Sequence, residues 1–203
     1  MGLLILTGSV LLWDVTHQRI AIEEAASPTS ASGSGDWLVW VEESERGVDI
    51  TSSNVSSGEN RSIGGQGWGV APRIVSSGGC FVLFGDFRAD YFEHNQDTGL
   101  LNPVFRYDSD FPITDLAITT DSNGEKKLAV LFENELRIIS TAVNSSNTQI
   151  IEANSTVVAS SGSLVGFSEN SEHGPYVNLT SIESNLTISI SLDSTTSSRI
   201  EQS

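Results

Sequence analysis

The densest run of side chains that could do chemistry lies between positions 86 and 97. Its members are Asp86, Arg88, Asp90, Glu93, His94 and Asp97. Carboxylates next to a histidine can transfer protons or hold a metal ion. Here they alternate along one predicted strand and its turns, and the other two histidines, His17 and His173, lie far away in the sequence. We therefore expect the solvated face of an outer strand, and predict neither a catalytic nor a metal site in this run.

A second oxygen-rich segment, residues 121–125, reads Asp-Ser-Asn-Gly-Glu and places oxygen donors at alternate positions. Calcium loops use such spacing, but an EF-hand also needs an acidic residue at the twelfth position of the loop, which this chain lacks. The dipeptide Asn123-Gly124 is a strong signal for a tight hairpin turn. We expect this segment to be a turn between two strands.

Three residues in predicted loops are the candidates for ligand binding. Trp68 lies in the glycine-rich segment 64–69, and Asp108 and Asp110 flank a loop that leads into the next predicted repeat. Loops of this kind often carry binding residues because a rigid scaffold positions them. We predict that Trp68, Asp108 and Asp110 bind a ligand. Segment 64–69 does not lead from a strand into a helix, so it is not a nucleotide-binding loop.

The other reactive or aromatic side chains have a simpler explanation. Trp37 and Trp40 lie in one apolar run and Cys80 in another, so we expect all three in the core. The single cysteine cannot form an internal disulfide. The sequence contains neither a nucleophile elbow nor a serine–histidine–aspartate spacing. We predict no catalytic residue, no metal and no cofactor.

The elements that must position these residues repeat along the chain. Residues 27–58 align with residues 71–99, apart from a length difference in one turn. The matched positions are Pro28 and Pro72, Gly35 and Gly79, Trp40 and Phe84, Asp49 and Asp90, and Gly58 and Gly99. Short apolar runs between clusters of Gly, Ser, Asn and Asp indicate strands. A period of about 40 residues with four strands in each copy is typical of propeller blades.

We predict one all-β domain over residues 1–203, a β-propeller of five four-stranded antiparallel blades. The blades are residues 1–26 with 197–203, 27–64, 69–105, 110–152 and 155–193. The N-terminus offers only three strands, so we expect the C-terminal segment to supply the missing strand. That pairing would close the ring and remove the open sheet edges. An open fragment of a larger propeller is the alternative.

One motif runs through the repeats: an apolar strand, a Gly/Asp turn, an Asp-Ile-Tyr-like strand and a Ser/Thr-Gly turn. It occupies residues 37–40, 47–50 and 57–59, then 86–91 and 98–99, then 121–129. The motif resembles the TolB-type propeller repeat, and the resemblance covers residues 28–140. The fourth copy lacks the Asp-Ile-Tyr element. The family implies a scaffold that often binds proteins or ligands at one face of the ring.

Charge restricts the partners. The chain has 26 acidic and 10 basic residues, a net charge of −16. Such a surface repels nucleic acid and anionic lipid, and it can attract a basic partner. The apolar residues 1–13 are too few to span a bilayer, so we predict two strands there and no membrane insertion.

Glycosylation sequons suggest a location. They occur at Asn54, Asn60, Asn144, Asn154, Asn178 and Asn185. Their number fits an exported protein, and we expect an extracellular or cell-surface location.

Two functions from different classes follow from these patterns. The first is a non-enzymatic scaffold that binds a protein or another ligand through loops such as residues 64–68 and 106–114. The second is a carbohydrate-binding, lectin-like domain or a small glycoside-hydrolase-like domain, which requires Trp68, Asp108 and Asp110 to meet in one pocket. A structural subunit that packs against copies of itself is a third possibility.

Overall fold

The computed structural model describes residues 28–44, 47–65, 67–95, 97–142, 148–171, 174–184, 186–192 and 200–202. In this part of the chain every regular element is a β-strand, and the strands form four antiparallel sheets. The three N-terminal strands predicted within residues 3–23 lie outside the described residues.

Consecutive strands lie side by side in each sheet. The first sheet contains β1 (Pro28–Ser34), β2 (Trp37–Ser44), β3 (Gly47–Asn54) and β4 (Asn60–Ser62). The second contains β5 (Arg73–Ser77), β6 (Cys80–Phe84), β7 (Arg88–His94) and β8 (Leu101–Asp108). The third contains β9 (Asp115–Thr120), β10 (Lys126–Leu131), β11 (Glu135–Ser140) and β12 (Thr148–Glu152). The fourth contains β13 (Val158–Ser161), β14 (Leu164–Ser171), β15 (Gly174–Ser181), β16 (Thr187–Ser191) and β17 (Ile200–Gln202).

This architecture confirms the predicted all-β class with antiparallel blade-like sheets: three sheets have four strands, and the fourth has β17 as a fifth strand. The C-terminal strand differs from the prediction. The sequence predicted that residues 197–203 complete a blade with the N-terminus, whereas among the described residues β17 pairs antiparallel with β16 and extends the fourth sheet. The facing residues Ile188 and Gln202, and Ile190 and Ile200, fix this register. Because the N-terminal strands lie outside the described residues, a closed ring of five blades stays a prediction.

The chain divides into two compact units. The first unit is Met1–Gly85 with Phe92–Pro103, and the second is Asp86–Tyr91 with Val104–Ser203. Each has its own apolar core. The first core contains Val39, Val41, Val48, Ile50, Ile74, Phe81, Leu83, Phe92 and Leu101. The second contains Ala117, Ala129, Leu131, Leu136, Ile138, Ala153, Val158, Val165, Phe167 and Ile182.

In the second sheet the second strand, β6, is the most buried, as its continuous apolar run predicted. All five residues of β6 are buried, and Cys80 within it is 6% exposed. A strand covered on both faces carries apolar side chains at successive positions instead of alternating ones. The same argument predicted core positions for Trp37 and Trp40, and both are buried.

Small polar side chains join the first strands of neighbouring sheets within each unit. In the first unit Ser30 Oγ accepts a hydrogen bond from the Ile74 amide at 2.9 Å, and Ser34 Oγ accepts one from the Gly79 amide at 2.7 Å. These strand edges have no ladder partner, so side-chain oxygens satisfy their backbone groups.

The second unit uses the same device with different residues. Asp115 Oδ2 accepts from the Val158 amide at 2.9 Å, and Thr119 Oγ1 donates to the Gly162 carbonyl at 2.6 Å. Ser30, Ser34 and Thr119 therefore have structural roles.

One turn recurs between third and fourth strands. Asn54 and Asn95 each accept two backbone amides through Oδ1 at 2.8–3.0 Å, and Gly58 and Gly99 donate back to them at 2.8 Å. Both glycines have positive φ, +72° and +70°, a conformation that costs other residues energy. Ser181 takes the asparagine's place in the fourth sheet and accepts two amides through Oγ. The repeated sequence positions therefore form the same hydrogen bonds in successive sheets.

Candidate functional site

A groove of ≈ 470 Å³ opens in the second unit, beside the connection between β8 and β9. The lining residues from this connection are Phe111, Pro112 and Thr114. The hairpin between β10 and β11 supplies Phe132, Glu133, Asn134, Glu135 and Arg137. This volume lies within the range of small-molecule and side-chain pockets, about 300–1,000 Å³.

Backbone hydrogen bonds set the shape of the β8–β9 connection. The Ile113 amide donates to the Asp86 carbonyl at 2.6 Å, and the Thr114 amide donates to the Leu131 carbonyl at 2.8 Å. Ser109 Oγ bonds both the amide and the carbonyl of Phe111, at 3.1 and 2.8 Å. Phe111 is thereby held at the tip of the connection, where the residue is 56% exposed. An exposed phenylalanine on a hydrogen-bonded turn is available for contact with a partner.

Arg137 forms one wall of the groove. Its guanidinium carbon lies 4.7 Å from the centre of the buried Phe132 ring and 5.7 Å from that of Phe111. Its Nε donates to Glu135 Oε1 at 2.6 Å, Nη2 pairs with the same oxygen, and Nη1 donates to the Tyr107 hydroxyl at 3.2 Å. Stacking on two rings and pairing at the edge fix the side chain in one position.

The charge of Arg137 is secure in this setting. Burial by itself would lower the pKa of the guanidinium, but the hydrogen bonds and charges of Glu135 and Tyr107 outweigh it and raise the pKa. The groove therefore keeps a permanent cation in its wall at every working pH.

The hairpin tip adds polar groups. The Phe132 amide donates a hydrogen bond to the Glu135 carbonyl at 2.8 Å, which closes the turn. The backbone carbonyl of Asn134 accepts a hydrogen bond from the Ala153 amide at 3.1 Å. Glu133 is exposed. Its carboxylate makes no hydrogen bond or ion pair with any other residue that the structure describes. The groove thus presents three groups that a ligand can contact: the aromatic ring of Phe111, the arginine Arg137 paired with Glu135, and the carboxylate of Glu133, which pairs with no other described residue.

The structure does not bring the predicted ligand-binding residues together in this groove. Asp108 and Asp110 are exposed and come shortly before Phe111 in the sequence, but neither residue lines the groove. Trp68 belongs to the first unit, where it is half-buried against the apolar core, with its ring beside Gly85. Nothing observed tests whether these three residues bind a ligand, so their assignment stays a prediction.

The expectation of a solvated strand face at positions 86–97 holds for Asp86, Glu93 and Asp97, which are exposed, and is wrong for Asp90 and His94, which are buried. Five of the seven residues of β7 are buried, including Asp90 at 4% exposure. Arg88 pairs with the Asp90 carboxylate, and Arg106 Nε donates to Asp90 Oδ1 at 2.8 Å. A buried carboxylate is tolerated when it is paired and hydrogen-bonded, and the two arginines explain its position.

His94 is buried in the first unit, also contrary to that expectation. Its ring lies edge-on to Trp37 at 4.8 Å and to Phe81 at 5.6 Å between ring centres. Burial lowers the pKa of His94, and a hydrogen bond to the Gly99 backbone raises it by less. We therefore assign His94 to the core, where it is neutral near pH 7.

The oxygen-rich segment 121–125 is a turn, as predicted. Asp121 Oδ1 accepts the amides of Asn123 and Glu125, both at 2.9 Å, and Gly124 has a φ of +83°. Lys127 Nζ lies 3.2 Å from Asp121 Oδ2. Desolvation would raise the pKa of Asp121, but these amides and Lys127 together lower it.

Within the described ranges, no group of three or more His, Cys, Asp or Glu side chains is placed to hold a metal ion. The same residues include no helix with the length and apolarity needed to cross a membrane.

The sequence predicted the binding loop 106–114, which contains Phe111, but it singled out neither Phe111 nor Arg137 and Phe132 as site residues. One signal was present: Glu135 and Arg137 are two positions apart on a strand, so they share its face. The stacking on Phe111 depends on a loop 26 positions away in the sequence, and no local pattern encodes it.

No family model and no curated protein matches the chain. Among solved structures, a chain in the crystal structure of a nidogen/laminin complex matches with a TM-score of 0.50 and 16% identity, over 86% of this chain and 63% of that one. The fold is that of a β-propeller. At this identity the likeness shows the fold alone, and it agrees with the blade-like sheets.

A proposed 6-phosphogluconolactonase from Bacteroides uniformis also matches, with a TM-score of 0.41 and 12% identity, over 91% of this chain and 58% of that one. The present propeller therefore spans less than two thirds of either matched chain.

Proposed function

We propose that this β-propeller, built from TolB-type repeats, is a non-enzymatic scaffold that binds a protein partner. The partner would place an extended segment in the groove between the β8–β9 connection and the β10–β11 hairpin. The observation that carries the proposal is the exposed Phe111 ring next to the fixed Arg137 wall. Aromatic and arginine side chains dominate the binding energy of protein interfaces.

A second exposed ring lies on a tied neighbouring loop. Phe87 is 53% exposed, and its carbonyl accepts the Ser109 amide at 2.9 Å. The adjacent Asp86 carbonyl accepts the Ile113 amide. These bonds connect the Phe87 loop to the Phe111 loop, so both rings can contribute to one interface. The structure with a TM-score of 0.50 comes from a complex of two proteins, which supports a partner of the same kind.

The groove offers little to a glycosidase. Hydrolysis of a glycosidic bond needs a pair of carboxyl groups on either side of the bond. Of the two glutamates that line the groove, Glu135 is held by Arg137, which leaves Glu133 alone. A scaffold accounts for this arrangement better than an enzyme does.

An extracellular or cell-surface location is part of the proposal. Its support is the set of sequons, among which Asn60 and Asn154 are exposed. Asn178 is 6% exposed, donates to Glu169 at 2.7 Å and accepts from Ser189 at 2.5 Å, so we exclude it as a glycan acceptor. Secretion of the protein with glycans on Asn60 or Asn154, read by mass spectrometry, would test the location.

The binding proposal is tested with a phage-displayed library of random linear peptides, selected on the wild-type chain. Each enriched peptide is then measured by fluorescence anisotropy on the wild type, on Phe111→Ala and on Leu164→Ala. Leu164 is 46% exposed and does not line the groove, so it is the matched control. We expect Phe111→Ala to weaken binding about tenfold or more, and Leu164→Ala to leave it unchanged.

The same experiment can refute the proposal. If selection enriches no peptide, or if every enriched peptide binds Phe111→Ala as tightly as the wild type, the groove is not the binding site. Circular dichroism of both variants confirms that they fold.

A further inference from the structure

The groove shows which kind of side chain it receives, and this inference rests on the binding function proposed above. Each nitrogen of the Arg137 guanidinium already contacts an oxygen, of Glu135 or of Tyr107. The guanidinium carbon also lies 4.7 Å from the centre of the Phe132 ring and 5.7 Å from that of the Phe111 ring. Because Glu135 already pairs with the charge of Arg137, an anion entering the groove would compete with that carboxylate in a charge-assisted pair. Arg137 is therefore a wall of the groove and not a receptor for a carboxylate or phosphate.

The charge balance of the lining favours a cation. Glu133 and Glu135 contribute two negative charges and Arg137 one positive charge, which leaves one excess negative charge. Since Glu135 neutralises Arg137, that excess lies on Glu133, which no other described residue pairs. The whole chain, at −16, reinforces the attraction of positive groups.

The shape of the groove suits a long side chain with a charged end. Phe111 and Pro112 supply apolar surface, and the carboxylate of Glu133 lies on the same lining. Lysine and arginine bury their methylene stems on apolar surface while the charged head stays in a polar environment. A cation over an aromatic face gains a further attraction.

We propose that the groove receives a lysine or arginine side chain from an extended basic segment of the partner protein. The methylene stem packs on Phe111 and Pro112, and the charged head pairs with Glu133. This assigns Glu133 the role of specificity residue and Phe111 that of the apolar platform.

The test uses the peptides that the library selection yields. We expect them to be enriched in lysine and arginine beside apolar residues. In each peptide the basic residues are replaced in turn by norleucine, which keeps the stem and removes the charge. One such replacement should weaken binding to the wild type by about tenfold.

Charge reversal on the chain supplies the reciprocal test. Glu133→Lys should weaken the basic peptides and strengthen variants in which the critical lysine is replaced by glutamate. Glu43→Lys changes the net charge equally, lies in the first unit and does not line the groove, so it should leave both affinities unchanged apart from a small general effect removed by salt.

The outcomes separate this inference from the binding proposal itself. If the peptides depend on Phe111 but show no enrichment of basic residues, or tolerate norleucine at every position, the binding function stands and the cation assignment is wrong. If Glu43→Lys weakens binding as much as Glu133→Lys, the charge effect is general and the specificity role of Glu133 is wrong. If the peptides do not depend on Phe111, the proposed function is wrong, and the cation assignment, which rests on it, is wrong as well.

Discussion

Each unit packs an ionisable side chain against two aromatic rings, and the two arrangements differ in one respect. In the first unit His94 lies between Trp37 and Phe81, at 4.8 and 5.6 Å, and is 7% exposed. In the second unit Arg137 stacks on Phe132 and Phe111, but the Phe111 ring is open to solvent. The difference is that all three side chains of the first arrangement are buried, whereas the second leaves Phe111 exposed.

This difference teaches how a repeated scaffold acquires a site. A closed aromatic cluster contributes its full burial to stability, about 25 cal/mol for each Å² of apolar surface. An open one leaves part of that surface for a partner to cover. We therefore expect changes at the first cluster to affect folding and changes at the second to affect binding.

The largest effect should come from the glycine beneath the closed cluster. A Cβ on Gly99 would lie 2.2 Å from the Trp37 ring, whereas a Cβ on Gly58, in the equivalent turn, meets nothing within 4 Å. Both have a φ near +70°. Gly58→Ala should lose about 1–2 kcal/mol of unfolding free energy from backbone strain. Gly99→Ala should lose about 2–5 kcal/mol, because overpacking adds to the strain. Urea denaturation measures both, and equal losses would show that the Trp37 contact is not as tight as described.

The next largest effect on stability should distinguish Arg137, which stacks on aromatic rings, from Arg61, which does not. Arg137 and Arg61 each pair with the glutamate two positions before them, but only Arg137 stacks on phenylalanine rings. Arg137→Ala should destabilise the chain by about 1–2 kcal/mol, and Arg61→Ala by less than about 1 kcal/mol. If thermal unfolding shows the same stability for the two variants, stacking on the phenylalanine rings does not stabilise the position of Arg137.

A third expectation concerns how the free energy of unfolding changes with pH. Because burial lowers the pKa of His94 in the folded chain, the unfolded chain, with a histidine pKa of about 6.5, takes up the proton first. Stability from the neutral ring is full above pH about 6.5 and is lost as pH falls from there through the lower folded pKa. His94→Gln should flatten this part of the profile. His17 and His173 remain in both proteins, so their contribution cancels in the difference, and an unchanged slope would contradict the burial of His94.

The smallest effect on stability should be at the open ring. Phe111→Ala removes a side chain that is more than half exposed, so the loss should stay within about 1 kcal/mol. Differential scanning calorimetry checks this value. A loss of several kcal/mol would mean that Phe111 belongs to the core and not to a binding surface.

The fold was largely predictable because its signals are local. Gly58 and Gly99 give their turns the positive φ that a tight hairpin requires, and the second strands β2, β6 and β10 contain continuous apolar runs. These requirements recur with the period of the sheets, so two aligned copies were enough to recognise four-stranded units. The register of the C-terminal strand was not predictable, since residues 200–202 carry no pattern that selects β16 over another edge.

The candidate site was much less predictable because long-range contacts create it. The turn at Ser109 sets the position of Phe111, and Tyr107 reaches Arg137 from 30 positions away. The burial of Asp90 has the same origin, because Arg106, 16 positions later, supplies its second partner. Alternation along a strand cannot distinguish a solvated carboxylate from one that arginines neutralise.

The most direct test of the central claim is to locate the bound peptide on the chain. The backbone amide spectrum of the ¹⁵N-labelled protein is recorded during titration with a peptide selected as described above. We expect the largest shift changes at Phe111, Thr114 and residues 132–137, and none of similar size at segment 64–69 or at the turn 162–163. Changes centred on either of those segments, with Phe111 unaffected, would contradict the account.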